Sequence, residues 1–188
     1  MQNRLFNTIL HETGHLKDVY VEPITLAEPF LDMAARFADT TGTVALMSGG
    51  DHDCARYHIL GIQPWLTLTS YQNTIELKTS EKAHRLQSDP FDALNSLCTA
   101  YRLPDLDLPP PIACGLLGYL AYDLKDHLEK LPRTSVNDLG LPNLLLFAPS
   151  LLCIHDRTDH TTRLLVPRFE TTGAEQVEQT VVAVSYTH

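Results

Sequence analysis

The chain has 188 residues and a mass of 21.0 kDa; 44% of the residues are hydrophobic and 20% are charged. These are ordinary values for a folded globular protein, and they exclude a disordered or collagen-like chain. With 14 basic and 23 acidic residues the formal net charge is −9. An acidic surface repels a phosphate backbone, so nucleic-acid binding is not expected as the main role.

The sequence predicts a cytoplasmic protein without disulfides. No apolar run reaches the roughly 18–20 residues that cross a bilayer, and the first residues lack the apolar stretch and cleavage site of a signal peptide. The cysteines, Cys54, Cys98, Cys114 and Cys153, are widely spaced and form no C-x-x-C pair. This spacing indicates reduced thiols that are at least partly buried.

In the first half of the chain the patterns predict an arm, a helix and several strands. Residues 1–18 show no sustained periodicity and are predicted to be a flexible N-terminal arm. Apolar residues from Leu26 to Phe37 recur at helical spacing behind Thr25, which predicts a capped helix. The predicted strands are residues 19–23, 43–47, 56–61, 65–70 and 74–78, with a break at Gln63-Pro64 and a hairpin tip at Gln72-Asn73.

The second half predicts one further helix, a connector and a hairpin. Asp89 is a predicted N-cap with Pro90 at the first helical position. Residues 103–111 are rich in proline and predict a stiff connector. The remaining predicted elements are strands at residues 112–120, 144–155 and 161–167 and a helix at residues 173–184. The sum is an α+β protein with a mostly antiparallel sheet and helices packed on one side.

Two short motifs invite a metal interpretation. His11, Glu12 and His15 match the H-E-x-x-H pattern, in which two histidines on one helical turn bind zinc and the glutamate is the general base. Gly14 and the absence of helical periodicity around this motif favour an incidental match. Asp51, His52 and Asp53 could converge on a cation, but a solvated loop is the simpler interpretation.

Three blocks of sequence, taken together, resemble one family. The first reads VALMSGG at residues 44–50 and ARYHILGIQP at 55–64; the second reads DPFDAL at 89–94. The third reads GLLGYLAYDL at 115–124 and continues through LEKLP at 128–132 to LGLPN at 139–143. This order and spacing resembles the N-terminal region of the chorismate-utilising synthases, that is, component I of aminodeoxychorismate synthase and of anthranilate synthase.

The resemblance implies a role in a larger enzyme. It implies a domain at residues 19–170 within a two-lobed αββα synthase scaffold, followed at residues 171–188 by the start of a helix that leads to an absent chorismate-binding segment. The family aminates chorismate with ammonia from a glutamine amidotransferase, component II, and uses Mg²⁺ in the full-length enzyme. The chain itself is therefore expected to be non-catalytic, to hold no cofactor, and to self-associate through the face that the absent segment would cover.

The resemblance also implies an effector site. Ser48 matches the serine of the family's tryptophan pocket, and Arg56 and Tyr57 match an Arg-Tyr pair on the next strand. The acidic residue that precedes the serine is replaced by Met47, which favours the aminodeoxychorismate branch that supplies para-aminobenzoate for folate. Two alternatives stay open: the N-terminal region of an anthranilate synthase component I with a tryptophan regulatory site, and a stand-alone amino-acid-binding module.

Overall fold

The fold is built around one antiparallel sheet. The computed structural model describes residues 2–50, 52, 54–103, 114–130, 138–171, 177 and 181–182. Within these residues, the strands are β1 (Leu16–Ile24), β2 (Val44–Leu46), β3 (Tyr57–Tyr71), β4 (Thr74–Thr79), β5 (Ala83–Gln87), β6 (Leu117–Leu120), β7 (Leu144–Asp156) and β8 (Thr161–Phe169). The helices are α1 (Gln2–Thr13), α2 (Phe30–Ala35) and α3 (Pro90–Ala100), with a 3₁₀ helix at Tyr122–His127. The order across the sheet is β1-β8-β7-β3-β4-β5, with β2 added beside β3 and β6 beside β7. The predicted α+β class with an antiparallel sheet is confirmed.

The long strand β3 replaces two predicted strands. The sequence predicted a break at Gln63-Pro64, but β3 runs through this point for 15 residues. Gln63 takes a positive φ of 50°, and the pairing with β7 skips one residue between Pro64 and Leu66. Because proline cannot donate a ladder hydrogen bond, a bulge at this position lets the strand continue.

The sheet buries two main clusters under different helices. Along β7, Leu151 and Cys153 pack with Phe30 and Met33 of α2. Leu144 and Leu146 belong instead to the cluster under α1 and α3. That second cluster, the α1/α3 core, comprises Phe6, Ile9, Leu66, Leu68, Ile75, Leu77, Ala93, Leu97, Leu124, Leu144, Leu146 and Ala148. The central strands therefore hold both ends of the molecule together.

The predicted flexible arm at the N-terminus is wrong for residues 2–18. Residues 2–13 form α1, and β1 begins already at Leu16. Phe6 and Ile9 are 4% and 0% exposed and lie in the α1/α3 core. The apolar residues Phe6, Ile9 and Leu10 follow helical spacing over a short span that the polar residues around them obscure.

Of the helix starts and turns predicted from local sequence, some are confirmed and others are wrong. Asp89 caps α3 as predicted, with its carboxylate accepting hydrogen bonds from the backbone N–H of Phe91 and Asp92. The predicted cap at Thr25 is wrong, because α2 begins only at Phe30 and Pro29 occupies its N-cap. Both predicted hairpins, between β3 and β4 and between β7 and β8, are confirmed. Strand β5 was not predicted.

Some sequence predictions fall on residues outside the described ranges. The connector at residues 103–111 lies there apart from Leu103, and the helix at 173–184 is described only at residues 177, 181 and 182, which are helical. The boundaries of the domain at residues 19–170 stay a prediction. None of the helices in the described ranges is long and apolar enough to cross a membrane.

Candidate functional site

The first resemblance block folds at one end of the sheet. Strand β2 pairs with β3, and Leu46 lies opposite Ile59. On its other side β3 pairs with β7, so that His58 lies opposite His155. The turn between β7 and β8 follows directly after Asp156. Residues 48–50 and 54–58 are thus neighbours in space of residues 155–162, although the two parts are distant in the chain.

Ser48 stabilises the chain between β2 and β3. Its hydroxyl Oγ donates a hydrogen bond of 2.6 Å to the carbonyl oxygen of Tyr57. Its backbone N–H donates to Nδ1 of His58 over 3.1 Å. The hydroxyl proton is therefore directed at the protein's own backbone.

Arg56 is held by carboxylates of the β7–β8 turn. Its guanidinium donates to both oxygens of Asp156 over 2.7–3.1 Å and to Asp159 over 2.8 Å. Hydrogen bonding by Arg56 lowers the pKa of Asp156 to about 2, assisted by the backbone N–H groups of Asp159 and Thr158. The role of Arg56 in the structure is that of an anchor for this turn.

Tyr57 contacts both the Arg56 guanidinium and an apolar cluster of the sheet. Arg56 Cζ lies 5.1 Å from the centre of the Tyr57 ring, a distance at which the cation and the ring attract. The ring packs against a third cluster of the sheet, which contains Leu152 and Ile154. Ser48, Arg56 and Tyr57 are adjacent, but none of them is among the side chains that line the nearest cavity. Their role as a tryptophan pocket stays a prediction.

A cavity of about 450 Å³ opens beside these residues, and we call it the histidine cavity. Its lining residues are Pro29, Phe30, Leu31, Met47, His58, His155, Arg157 and His160. Met47 immediately precedes Ser48, and His58 immediately follows Tyr57. The sequence contains no signal for the histidines of the β7–β8 hairpin at this cavity, because cross-strand register cannot be read from the chain alone.

Three rings form the floor of the histidine cavity. The centres of the Phe30 and His58 rings are 5.4 Å apart, and those of Phe30 and His155 are 6.0 Å apart. His58 and His155 are 6.1 Å apart with an interplanar angle of 18°. The two imidazoles therefore stack across the β3–β7 pair.

The hydrogen bonds determine the tautomer of His58 but not that of His155. Because a backbone N–H can only donate, Nδ1 of His58 accepts from Ser48 and the proton of the neutral ring is on Nε2. Nδ1 of His155 lies 2.8 Å from Thr162 Oγ1, a hydroxyl that can donate or accept. Burial lowers the pKa of both histidines; Arg157 and His155 lower that of His58 further. For His155, His160 and Arg157 add to this lowering, while Asp156 opposes it.

A second cavity of about 320 Å³ lies at the bulge of β3 and is mostly apolar. Trp65 and Tyr101 form part of its wall, with ring centres 4.9 Å apart, and Tyr101 OH is 2.6 Å from Thr13 Oγ1. Leu103 and Cys114 also line it, and residues 104–113 between them lie outside the described ranges. Burial raises the pKa of the Cys114 thiol to about 11, so this sulfur stays protonated at neutral pH.

The cysteines agree only in part with the prediction of reduced, partly buried thiols. All four cysteines are free, as predicted, but Cys54 and Cys98 are exposed.

Helix α1 ends at Thr13, and Gly14 has a φ of 79°. Glu12 pairs with His84 and Lys82, each over 3.1 Å. The motif therefore spans a helix end, and its glutamate joins α1 to β5.

No metal cluster is present in the described residues. There, no group of three or more His, Cys, Asp or Glu side chains could hold a metal ion. Asp51 and Asp53, which the sequence singled out with His52, lie outside the described ranges.

Comparison with known proteins identifies similar chains. No family model matches the chain. It is 27% identical to anthranilate synthase component 1 of Acetivibrio thermocellus over 158 residues, which are 80% of this chain and 32% of that protein. It is 29% identical to aminodeoxychorismate synthase component 1 of Escherichia coli over 138 residues, which are 70% of this chain and 29% of that protein. It is 38% identical to anthranilate synthase component 1 of Thermus thermophilus over 89 residues, which are 46% of this chain and 19% of that protein.

The chain thus spans less than a third of the length of these curated relatives. The similarity extends over most of the chain and includes both kinds of synthase. Its homologues are chorismate-utilising synthases, and this supports that family for the chain without distinguishing the anthranilate from the aminodeoxychorismate member.

Proposed function

We propose that the chain is the non-catalytic N-terminal part of an aminodeoxychorismate synthase component I. In this proposal the complete cytoplasmic enzyme aminates chorismate to 4-amino-4-deoxychorismate, which leads to para-aminobenzoate and folate. The observation that carries it is the similarity to component 1 proteins, which covers 70–80% of this chain but only 29–32% of those relatives. Because the match covers less than a third of those relatives, we propose that this chain is a scaffold and that the reactive centre lies in the rest of the enzyme.

The chemistry of the described residues agrees with a scaffold role. The ion pairs of the sheet, such as Arg56 with Asp156 and Arg168 with Asp18, join neighbouring strands. In the proposal, Mg²⁺ and chorismate bind to a further segment, and component II, the glutamine amidotransferase, delivers ammonia there. The name component 1 of the relatives supports such a partner.

The charge near Ser48 supports the choice of the aminodeoxychorismate branch. Met47, which is 41% exposed, stands directly before Ser48, where the resemblance implies an acidic residue. The ammonium group of a tryptophan bound beside Ser48 would lack that carboxylate partner, which is costly in a desolvated site. This favours the aminodeoxychorismate branch over a tryptophan-inhibited anthranilate synthase.

The test of the proposed function uses the purified chain alone and together with the remainder of a relative. Alone, with chorismate, ammonia and Mg²⁺, we expect no turnover. Mixed with the part of the Escherichia coli relative that this chain does not match, we expect ammonia-dependent formation of 4-amino-4-deoxychorismate. Turnover by the isolated chain would contradict the scaffold role, and so would equal turnover by the Escherichia coli part without this chain.

The amino-acid-binding alternative has its own measurement. If the chain is a stand-alone module with Ser48, Arg56 and Tyr57 at its site, calorimetric titration with tryptophan gives heat that Ser48→Ala reduces. Because the Ser48 hydroxyl is bonded to the backbone of Tyr57, the same variant also tests the turn, and its folding is checked by circular dichroism. Absence of heat with the wild-type chain removes this alternative.

A further inference from the structure

We infer that the histidine cavity binds a carboxylate with an apolar body and without an ammonium group, and that binding takes up a proton at His155. This inference goes beyond the proposed synthase role, since it depends only on the side chains around the cavity. Nothing in the similarity to component 1 proteins assigns a ligand to His58, His155, Arg157 or His160.

The charges around the cavity favour an anion. Arg157, His58, His155 and His160 are all potential cations, and no Asp or Glu occurs among the described lining residues. Arg157 is positioned by a hydrogen bond of 2.7 Å from its guanidinium to the carbonyl oxygen of Ala55. A negative charge in this cavity would face the Arg157 cation and the imidazole N–H donors, whereas an ammonium group would face the same cation with repulsion.

Among the described residues next to the cavity, Asp156 and Asp159 already have partners. Asp156 lies next to His155 in the chain, but its oxygens accept from Arg56 and from the backbone N–H groups of Thr158 and Asp159. The Asp159 carboxylate accepts from Arg56. On α2, Phe30 and Leu31 line the cavity, whereas the exposed Asp32 between Leu31 and Met33 does not. Strand β8 contributes the hydroxyl of Thr162 rather than a charge.

The apolar part of the lining fits a ring or a chain. Of the apolar lining residues, Leu31 and Met47 are 61% and 41% exposed, and Phe30 is 5% exposed. The cavity of about 450 Å³ is within the range of small-molecule sites. A flat apolar body that covers Leu31 and Met47 removes exposed apolar surface from water, which contributes to binding.

The two central histidines have different roles. Nδ1 of His58 is committed as an acceptor for Ser48 N–H, so protonation of this ring at Nδ1 would break that bond. It is therefore expected to stay neutral and to donate from Nε2. Nδ1 of His155 faces a hydroxyl that can become the acceptor when the ring is doubly protonated. His155 is thus the group that can gain a proton without losing its partner, and a bound carboxylate favours that charged form.

The experiment compares three probes that share one indole ring. Indole-3-propionate carries only the carboxylate, L-tryptophan adds the ammonium group, and indole-3-propionamide carries no charge. Calorimetric titration near pH 6 in two buffers of different ionisation enthalpy gives both affinity and proton uptake. We expect indole-3-propionate to bind at least about tenfold more tightly than either other probe and to weaken by up to about tenfold per pH unit above pH 6, as uptake of one proton requires.

His155→Gln is the decisive variant, because glutamine can still bond to Thr162 but cannot take up the proton. We expect it to abolish proton uptake and flatten the pH dependence of binding. The control is His127→Gln, which alters a half-buried histidine bonded to Asp89 elsewhere in the fold; it should leave proton uptake unchanged. If His155→Gln does not fold, the NMR titration of His155 in the wild-type chain replaces it, and its pKa should rise when indole-3-propionate is added.

Three results would overturn the inference: equal binding of the amide, tighter binding of tryptophan, or proton uptake that persists in His155→Gln. No binding of any probe would remove it as well. None of these results affects the proposed synthase role, which the formation of 4-amino-4-deoxychorismate tests separately.

Discussion

Asp156 has a structural role at this end of the sheet, which a stability measurement can test apart from ligand binding. Its side chain is 6% exposed and receives Arg56, while Oδ1 also accepts from the backbone N–H groups of Thr158 and Asp159. In Asp156→Asn the amide oxygen can keep the turn contacts, but the charge that holds Arg56 is lost. We expect a loss of about 2 kcal/mol in the free energy of unfolding, as for a hydrogen bond to a charged group. Urea denaturation at neutral pH measures it.

The matched control is Asp159→Asn. Asp159 is 55% exposed and also accepts from Arg56. An exposed ion pair contributes little, so this change should cost less than about 0.5 kcal/mol. Equal losses of unfolding free energy in the two variants would show that the buried contact of Asp156 stabilises the fold no more than the exposed contact of Asp159.

The same carboxylate predicts an acid dependence of stability. Its pKa in the fold is about 2, below the ordinary value of 3.8 for an aspartate. The unfolded chain therefore binds more protons between these values, and the stabilisation is complete above about pH 4 and lost as the pH falls towards 2. Wild-type and Asp156→Asn stabilities should converge over this window when urea midpoints are compared at successive pH values. A difference that stays constant down to pH 2 would exclude Asp156 as the source.

At the scale of single elements, Gly118 determines how β6 joins the sheet. A Cβ at this position would overlap the carbonyl oxygen of Leu145 on β7 and approach the Leu145 carbonyl carbon to 3.0 Å. Its φ of 152° adds to the restriction. Gly118→Ala must displace β6 or β7, and we expect a loss of about 2–3 kcal/mol in unfolding free energy. Gly49→Ala is the control, since no atom lies within 4 Å of a Cβ there and its φ is not positive.

Helix α1 gives the second element-scale prediction. If α1 is part of the core, Ile9→Ala removes a fully buried side chain and should lower the unfolding free energy by about 2–4 kcal/mol. Leu128→Ala, at a position that is 73% exposed, should change it by less than about 0.5 kcal/mol. Thermal and urea denaturation distinguish the two. An unchanged stability of Ile9→Ala would restore the flexible arm that the sequence predicted.

These elements show what the sequence could predict and what it could not. The cap at Asp89 and the turns at Gln72 and after Asp156 were predicted because their signals lie within four or five neighbouring residues. The continuity of β3 was missed because Pro64 signals a break locally, while the register with β7 across a bulge preserves the strand. The site was predicted at Ser48, Arg56 and Tyr57 from the resemblance. The stacking of His58 on His155 could not be predicted, because it depends on a register between strands that are far apart in the chain.

For the whole molecule, the strands at the sheet edges differ in how they are protected. Strand β1 contains Lys17, Asp18 and Pro23, and β5 contains Arg85; charged and proline residues discourage edge pairing. Strands β2 and β6 contain neither charge nor proline. In the described part of the chain, β6 pairs only with β7, and Tyr119 and Leu120 on it are 37% and 51% exposed.

This asymmetry predicts that the isolated chain self-associates through β6. The neighbouring surface adds further exposed apolar side chains, namely Tyr71 at 53%, Tyr122 at 79% and Leu141 at 57%. Because an uncharged edge strand with exposed apolar residues favours pairing with another copy, we expect a concentration-dependent increase in sedimentation coefficient. Leu120→Lys should shift the equilibrium to the monomer by placing a charge on that edge, whereas Gln87→Lys on the protected edge β5 should not. A wild-type chain that stays monomeric at every concentration would mean that β6 is covered within its own fold, and the self-association expected from the sequence would then be wrong.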